Sequence, residues 1–222
     1  MTSEQAANAA TVLPPNGNDQ RVTLVSEAAL PTRYAEFRIA IFSVHGAAEI
    51  LALLHGKQDG PPLVRLHSEC LTGDTLGSLR CDCGEQLEAA LQQIASSPRG
   101  ILLYLRQEGR GIGLINKIRA YALQDLGLDT VDANLALGLP VDGRDYAPAA
   151  AVLRSLGVQE AFLLTNNPHK CQSLEQHGVR VIERVPLVVP ANPANLRYLR
   201  TKISRMGHDI DLRRDERTHL TP

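Results

Sequence analysis

Residues 84–127 read GEQLEAALQQIASSPRGILLYLRQEGRGIGLINKIRAYALQDLG, and the periods within them decide the fold class. Leu87, Ala90, Leu91 and Ile94 fall at i, i+3, i+4 and i+7, the apolar stripe of a helix over 84–96. Residues 101–105, ILLYL, form an unbroken apolar run, as expected of a strand buried on both faces of a sheet. A glycine-rich loop, 106–113, follows, and then a second helix over 114–126 that Gly127 stops. Helix, buried strand, loop and helix in succession place the chain in the α/β class.

Downstream the alternation repeats. A helix over 148–156 starts at Pro148 and ends before Gly157, and 161–165 (AFLLT) is a second buried strand. Pro168 opens a helix closed by Gly178, and 179–185 is a third strand. Residues 128–134 (LDTVDAN) read as a short strand and 134–147 as an irregular loop. From Asn195 the chain turns polar and helical. Upstream, 22–28, 35–44 and 49–56 are short β-rich runs that predict an antiparallel section. In the further strand PLVRLHSE, alternation puts Arg65, His67 and Glu69 on one face, leading into Cys70. The expected architecture is α/β (α+β), a mixed, partly parallel sheet flanked by helices with an antiparallel N-terminal section. Residues 1–20 read as a disordered extension, 21–208 as one folded domain and 209–222 as a polar tail.

Composition narrows the partners. A formal net charge of −1 demands neither nucleic acid nor an anionic membrane. Aromatics make up 4% of the 222 residues, with no Trp, which argues against a base-stacking surface. No apolar run approaches the ~20 residues that span a bilayer. Four cysteines without a secretory signal point to a reducing, cytoplasmic setting.

Three of those cysteines, Cys70, Cys81 and Cys83, lie in RLHSECLTGDTLGSLRCDCG, residues 65–84. Clustered thiolates are good tetrahedral zinc ligands, and three of them leave the fourth position for water, as in catalytic rather than structural sites. A closed site recruiting Cys171 or His67, and no metal at all, are the competing readings. A disulfide is awkward, because Cys81 and Cys83 are one residue apart.

Two loops fall where ligands bind in such sheets, beyond the carboxyl ends of the strands, and a third segment is a further candidate. In Arg106–Gly113 the glycines let backbone approach a phosphate, Arg110 pairs with an anion, and Glu108 accepts from a purine edge or helps hold Mg²⁺. In Thr165–Lys170, Asn167 caps a helix, while Lys170 sits in the first turn, against the macrodipole, where a bound anion would explain it. Asp142-Gly143-Arg144-Asp145-Tyr146 is an ordinary turn on its own. Together these segments offer a metal, purine-compatible groups and polyphosphate cations.

HSECLTGD…SLRCDCG, RQEGRGIGL…KIRAYALQD, the Asp142–Tyr146 turn and LLTNNP-x-K resemble, in order and spacing, the motifs of GTP cyclohydrolase II over about residues 26–208. The resemblance implies hydrolysis of GTP to 2,5-diamino-6-ribosylamino-4(3H)-pyrimidinone 5′-phosphate, formate and pyrophosphate, the first step of riboflavin biosynthesis. It also implies one Zn²⁺ per chain on Cys70, Cys81 and Cys83, Mg²⁺ with the triphosphate, and a homodimer. GTP contacts carry over to Arg65, Leu66, His67, Ser68, Glu69, Gln86, Glu108, Gly109, Arg110, Thr130, Thr165 and Lys170, with Glu108 on the guanine edge. Tyr121 matches the tyrosine that assists imidazole ring opening, Asp142 the proton acceptor and Arg144 the nucleophile. A guanidinium with a pKa above ~12 has no lone pair to spare, so a charge clamp is the alternative for Arg144. His169 stands where relatives often carry a second lysine. Two rival functions remain, a zinc-stabilised GTP-binding regulatory module and a variant that stops at the formamidopyrimidine.

Overall fold

The computed structural model describes residues 21–57 and 59–210. The expected N-terminal extension and nearly all of the polar tail lie outside them. Seven strands form one sheet in the order β1-β2-β3-β5-β4-β6-β7. β1 (Val22–Pro31), β2 (Glu36–Val44) and β3 (Ile50–Gly56) make an antiparallel meander. β5 (Arg99–Leu105) joins two halves, pairing antiparallel with β3 and parallel with β4 (Leu63–Ser68). β6 (Glu160–Leu164) adds to the far side of β4 and β7 (Arg180–Val185) to β6, both parallel. The expected mixed sheet is present.

Alternation assigns the faces. Ala40, Phe42, Val44, Ile101, Leu103 and Leu105 point to one side, where α5 (Ala147–Ser155) and α6 (Pro168–Gln176) bring Ala150, Leu153 and Leu174. Phe37, Leu102 and Leu164 point to the other, under Ala90 and Ile94 of α2 (Cys83–Ala95). β5 is therefore buried on both faces, as its apolar run predicts. Truncating Leu103 to Ala there would cost about 2–5 kcal/mol. β5 and β6 flank β4 on opposite sides, with α2 crossing on one face of the sheet and α5 on the other. Such a switch point opens a crevice beyond the strand ends.

One expectation fails. Residues 128–134 are not a strand; Thr130–Ala136 form a helix, α4. Asp129 caps it by accepting from the amides of Val131 at 2.7 Å and Asp132 at 2.8 Å. Those caps satisfy two otherwise orphaned donors, and Val131 with Asn134 buries one helical face. The expected loop 134–147 accordingly starts after that helix. A short α1 (Leu71–Asp74), α3 (Gly113–Asp125) and α7 (Leu196–Met206) complete the helices. Among the described residues, no helix is long and apolar enough to cross a membrane.

Candidate functional site

β4 delivers Cys70 to the sheet end, and the turn before α2 and the first residue of α2 return Cys81 and Cys83 to it. The three sulfurs lie within 4.8 Å of one another, with Cys70 Sγ and Cys81 Sγ 3.7 Å apart and no disulfide formed. Four-coordinate zinc with Zn–S bonds of ~2.3 Å would separate sulfurs by about 3.8 Å. The donor set therefore fits zinc. Glycines make the room: a Cβ on Gly73 would come within 3.2 Å of the sulfurs of Cys70 and Cys81, and one on Gly84 would strike the Gly73 carbonyl. Hydrogen bonding from Cys81, Cys83 and Lys117 pulls the Cys70 thiol far below its usual value. The same bond to Cys70 pushes Cys81 up to about 11. One negative charge is thus favoured in the cluster, and a bound dication is what would hold three.

The fourth corner has no protein ligand among the described residues. His67 gives Nε2 to Asp74 at 3.0 Å, and Cys171 packs against the main core instead. Asp74 also accepts the Cys70 amide at 3.0 Å and the Tyr104 hydroxyl at 2.8 Å, so it fixes the loop from beneath. Burial lowers the His67 pKa, and its Nδ1 is buried without a partner.

A group of cations lines the same cleft as the thiols. Arg65 gives a guanidinium N–H to Leu164 O at 3.0 Å and another to Gln86 at 2.7 Å, while its Nε is buried and unpartnered. Burial brings its pKa down to about 10, still charged at neutral pH. Lys170 is 5% exposed and donates to Leu66 O at 2.8 Å. Burial, with Arg65 and Arg144 nearby, drives its pKa well below the ordinary lysine value. Arg110 leaves one buried guanidinium nitrogen unpartnered. None of these three has a carboxylate partner among the described residues. Buried donors without acceptors mark a place for a ligand.

Arg110 is also the one described non-glycine residue with positive φ, at 62°. Left-handed backbone costs it about 1–2 kcal/mol. The bond from Gly143 N to Arg110 O, 3.0 Å, holds it there and ties the glycine-rich loop to the Arg144 turn. Gly111 must be glycine, since a Cβ would sit 2.8 Å from Gly143 O.

One cleft gathers nearly every residue singled out from sequence. Its walls include Arg65, His67, Ser68, Glu69, Gln86, Glu108, Gly109, Arg110, Tyr121, Thr130, Arg144, Thr165 and Lys170, together with the three cysteines. Leu66 departs from the set: its side chain lies wholly in the core and only its carbonyl serves, through Lys170. Asp142 stands behind the wall, gripping Arg144. Asn167 caps α6 by accepting from His169 N at 3.0 Å. Glu108 is heavily engaged, accepting from Leu71 N at 2.7 Å, Gly109 N at 2.8 Å and Lys117 Nζ at 2.8 Å.

Sequence reasoning misses Lys117 and the contribution of the C-terminal region. α7 places Tyr198 and Lys202 in the cleft, with His208 just beyond. Lys202 pairs at 2.5 Å with Asp82, which is 1% exposed between Cys81 and Cys83. Burial among Lys202, Arg144, Lys170 and Arg110 pushes His208 down to about 3, so its ring is neutral. A lysine beside Tyr198 and Leu199, on the apolar side of an otherwise polar helix, is the signal that could have revealed Lys202.

Comparison with known proteins gives a consistent result. The family model for GTP cyclohydrolase II matches residues 23–186. The riboflavin biosynthesis protein RibBA of Mycobacteroides abscessus is 54% identical over 201 residues, covering 87% of this chain and 48% of that one. The RibBA proteins of Mycolicibacterium gilvum and Mycobacterium marinum are also 54% identical, with 48% and 47% of their lengths covered. The chain spans about half the length of these curated relatives.

Proposed function

The chain belongs to the GTP cyclohydrolase II family, and from that membership we propose that it hydrolyses GTP to 2,5-diamino-6-ribosylamino-4(3H)-pyrimidinone 5′-phosphate, formate and pyrophosphate, with zinc on Cys70, Cys81 and Cys83. The observation that carries this reading is a single cleft lined both by three clustered thiols and by three cations that have no carboxylate partner among the described residues. GTP calls for both, a metal site for its base and cations for its triphosphate. Zinc would supply Lewis acidity for hydration of the base.

The protein's own groups do the rest. Arg65, Arg110 and Lys170 hold the triphosphate, which brings Mg²⁺ with it, and Arg110 is pre-aimed by its strained backbone. Glu108 has lone-pair capacity left for the guanine edge after its three internal bonds. Tyr121, pushed by burial up to about 12, keeps its proton and can donate it as the imidazole ring opens. Asp142 orients Arg144 as a clamp on the α-phosphate, which stabilises the charge that develops when pyrophosphate leaves. A homodimer in a cytoplasmic setting belongs to the same proposal, as does a single working unit over 21–208.

The test is metal analysis followed by separate assays of formate and pyrophosphate on GTP. One zinc per chain with both products released supports the full reaction. Pyrophosphate without formate would indicate a variant that stops at the formamidopyrimidine. GTP binding with neither product would leave a regulatory module.

A further inference from the structure

We propose that Lys117 is a positioning residue for the metal, holding the sulfur of Cys70 and setting how much electron density that sulfur gives; the inference rests on the zinc reading above. α3 carries Lys117 into the cleft floor, where it is 8% exposed. Its Nζ donates to Cys70 Sγ at 3.1 Å and to Glu108 Oε1 at 2.8 Å. A counter-ion for Glu108 alone would not need to reach a sulfur.

The geometry goes further than a pair. The second carboxylate oxygen of Glu108 accepts the amide of Leu71, the residue after Cys70, at 2.7 Å. Glu108 and Lys117 therefore grip Cys70 from two directions, one through its side chain and one through the adjoining backbone. Three thiolates on a dication leave a net charge of −1 and a weakened Lewis acid. A charged N–H···S bond answers both problems by compensating the charge and drawing density off one sulfur. The glycine-rich loop that carries Glu108 is thereby fastened to the metal end of the cleft.

The experiment uses the full-length chain, stripped of metal and titrated with Co²⁺ against a chelator, because cobalt reports its sulfur ligands in the near ultraviolet. Lys117→Met is expected to weaken Co²⁺ binding by about 10-fold or more. It should also move the sulfur-to-cobalt charge-transfer band to lower energy, since an unbonded thiolate yields its electron more readily. Lys117→Arg should restore most of both. Lys117→Gln, an uncharged donor of similar reach, should give an intermediate band and serves if the methionine variant does not fold. A band and an affinity unchanged in Lys117→Met and Lys117→Gln, against a wild type that binds one cobalt, would overturn the inference while leaving the zinc reading intact. A wild type that takes up no cobalt or zinc would overturn both.

Discussion

Arg144 meets Asp142 through two parallel contacts, Nε to Oδ1 at 2.8 Å and a terminal N–H to Oδ2 at 2.5 Å. Burial disfavours the guanidinium, yet the bond to Asp142 wins and raises its pKa above the ordinary arginine value. Such a group is protonated at neutral pH, and the proposed reaction accordingly uses it as a clamp. Arg144→Ala should slow pyrophosphate release by about 100- to 1,000-fold with zinc retained, and Arg144→Lys should recover only part, because it loses the fork. A phosphorus–nitrogen adduct trapped at position 144 would contradict this. Lys170 makes the opposite case. Its depressed pKa means that the unfolded chain binds more protons between the folded value and 10.5. The stability penalty is full below the folded pKa and vanishes above 10.5. Lys170→Met should therefore raise the Tm of the empty protein by a few degrees near neutral pH, at roughly 2–4 °C per kcal/mol for this size. It should flatten the gain in stability at alkaline pH and weaken GTP use. Calorimetry across pH and GTP kinetics on one variant would check both halves. Both residues are legible in sequence as candidates, but their opposite protonation behaviour is set by whether a carboxylate stands beside them.

Among the elements, α7 contributes most beyond what sequence predicts. Its start near Asn195 is readable from the polar, helical pattern, whereas its docking rests on Lys202 finding Asp82 across 120 residues of chain. No local period encodes such a pair. α4 is the converse, a segment short enough that its β-like composition outweighs the capping signal of Asp129. Removing one partner from a buried ion pair costs about 3–5 kcal/mol. Lys202→Met should accordingly lower the Tm by on the order of 6–20 °C, and Lys202→Met with Asp82→Asn should return most of the loss. Burial pushes the Asp82 carboxyl up, but Lys202 pulls it lower still, so its pKa ends below 3.8. Its contribution is thus complete above that value and fades as pH falls through the depressed one. An acid-unfolding midpoint that moves upward in Lys202→Met would report this; an unmoved midpoint would mean that α7 is held by other contacts.

At the scale of the whole molecule, the alternation in residues 84–127 was enough to predict α/β layering and a partly parallel sheet. It could not place β5 between β3 and β4, because pairing order depends on contacts far apart in sequence. Neither hydrophobic cluster includes Cys70, Cys81 or Cys83. Chelation, or Cys81→Ser, should therefore abolish formate production and metal content while far-UV circular dichroism stays native; loss of the fold would make the metal structural. The pairing order also has a temporal consequence. β1, β2 and β3 are joined by short turns and close at little entropic cost, whereas β4 must find β6 by matching Val64 with Leu163. The segment bearing the thiols follows β4, so it is among the last to be sheltered. Refolding from denaturant should then depend steeply on reductant, with oxidised, cross-linked chains accumulating in its absence. The assembled protein, with Cys70 and Cys81 buried, should withstand the same oxidant for far longer.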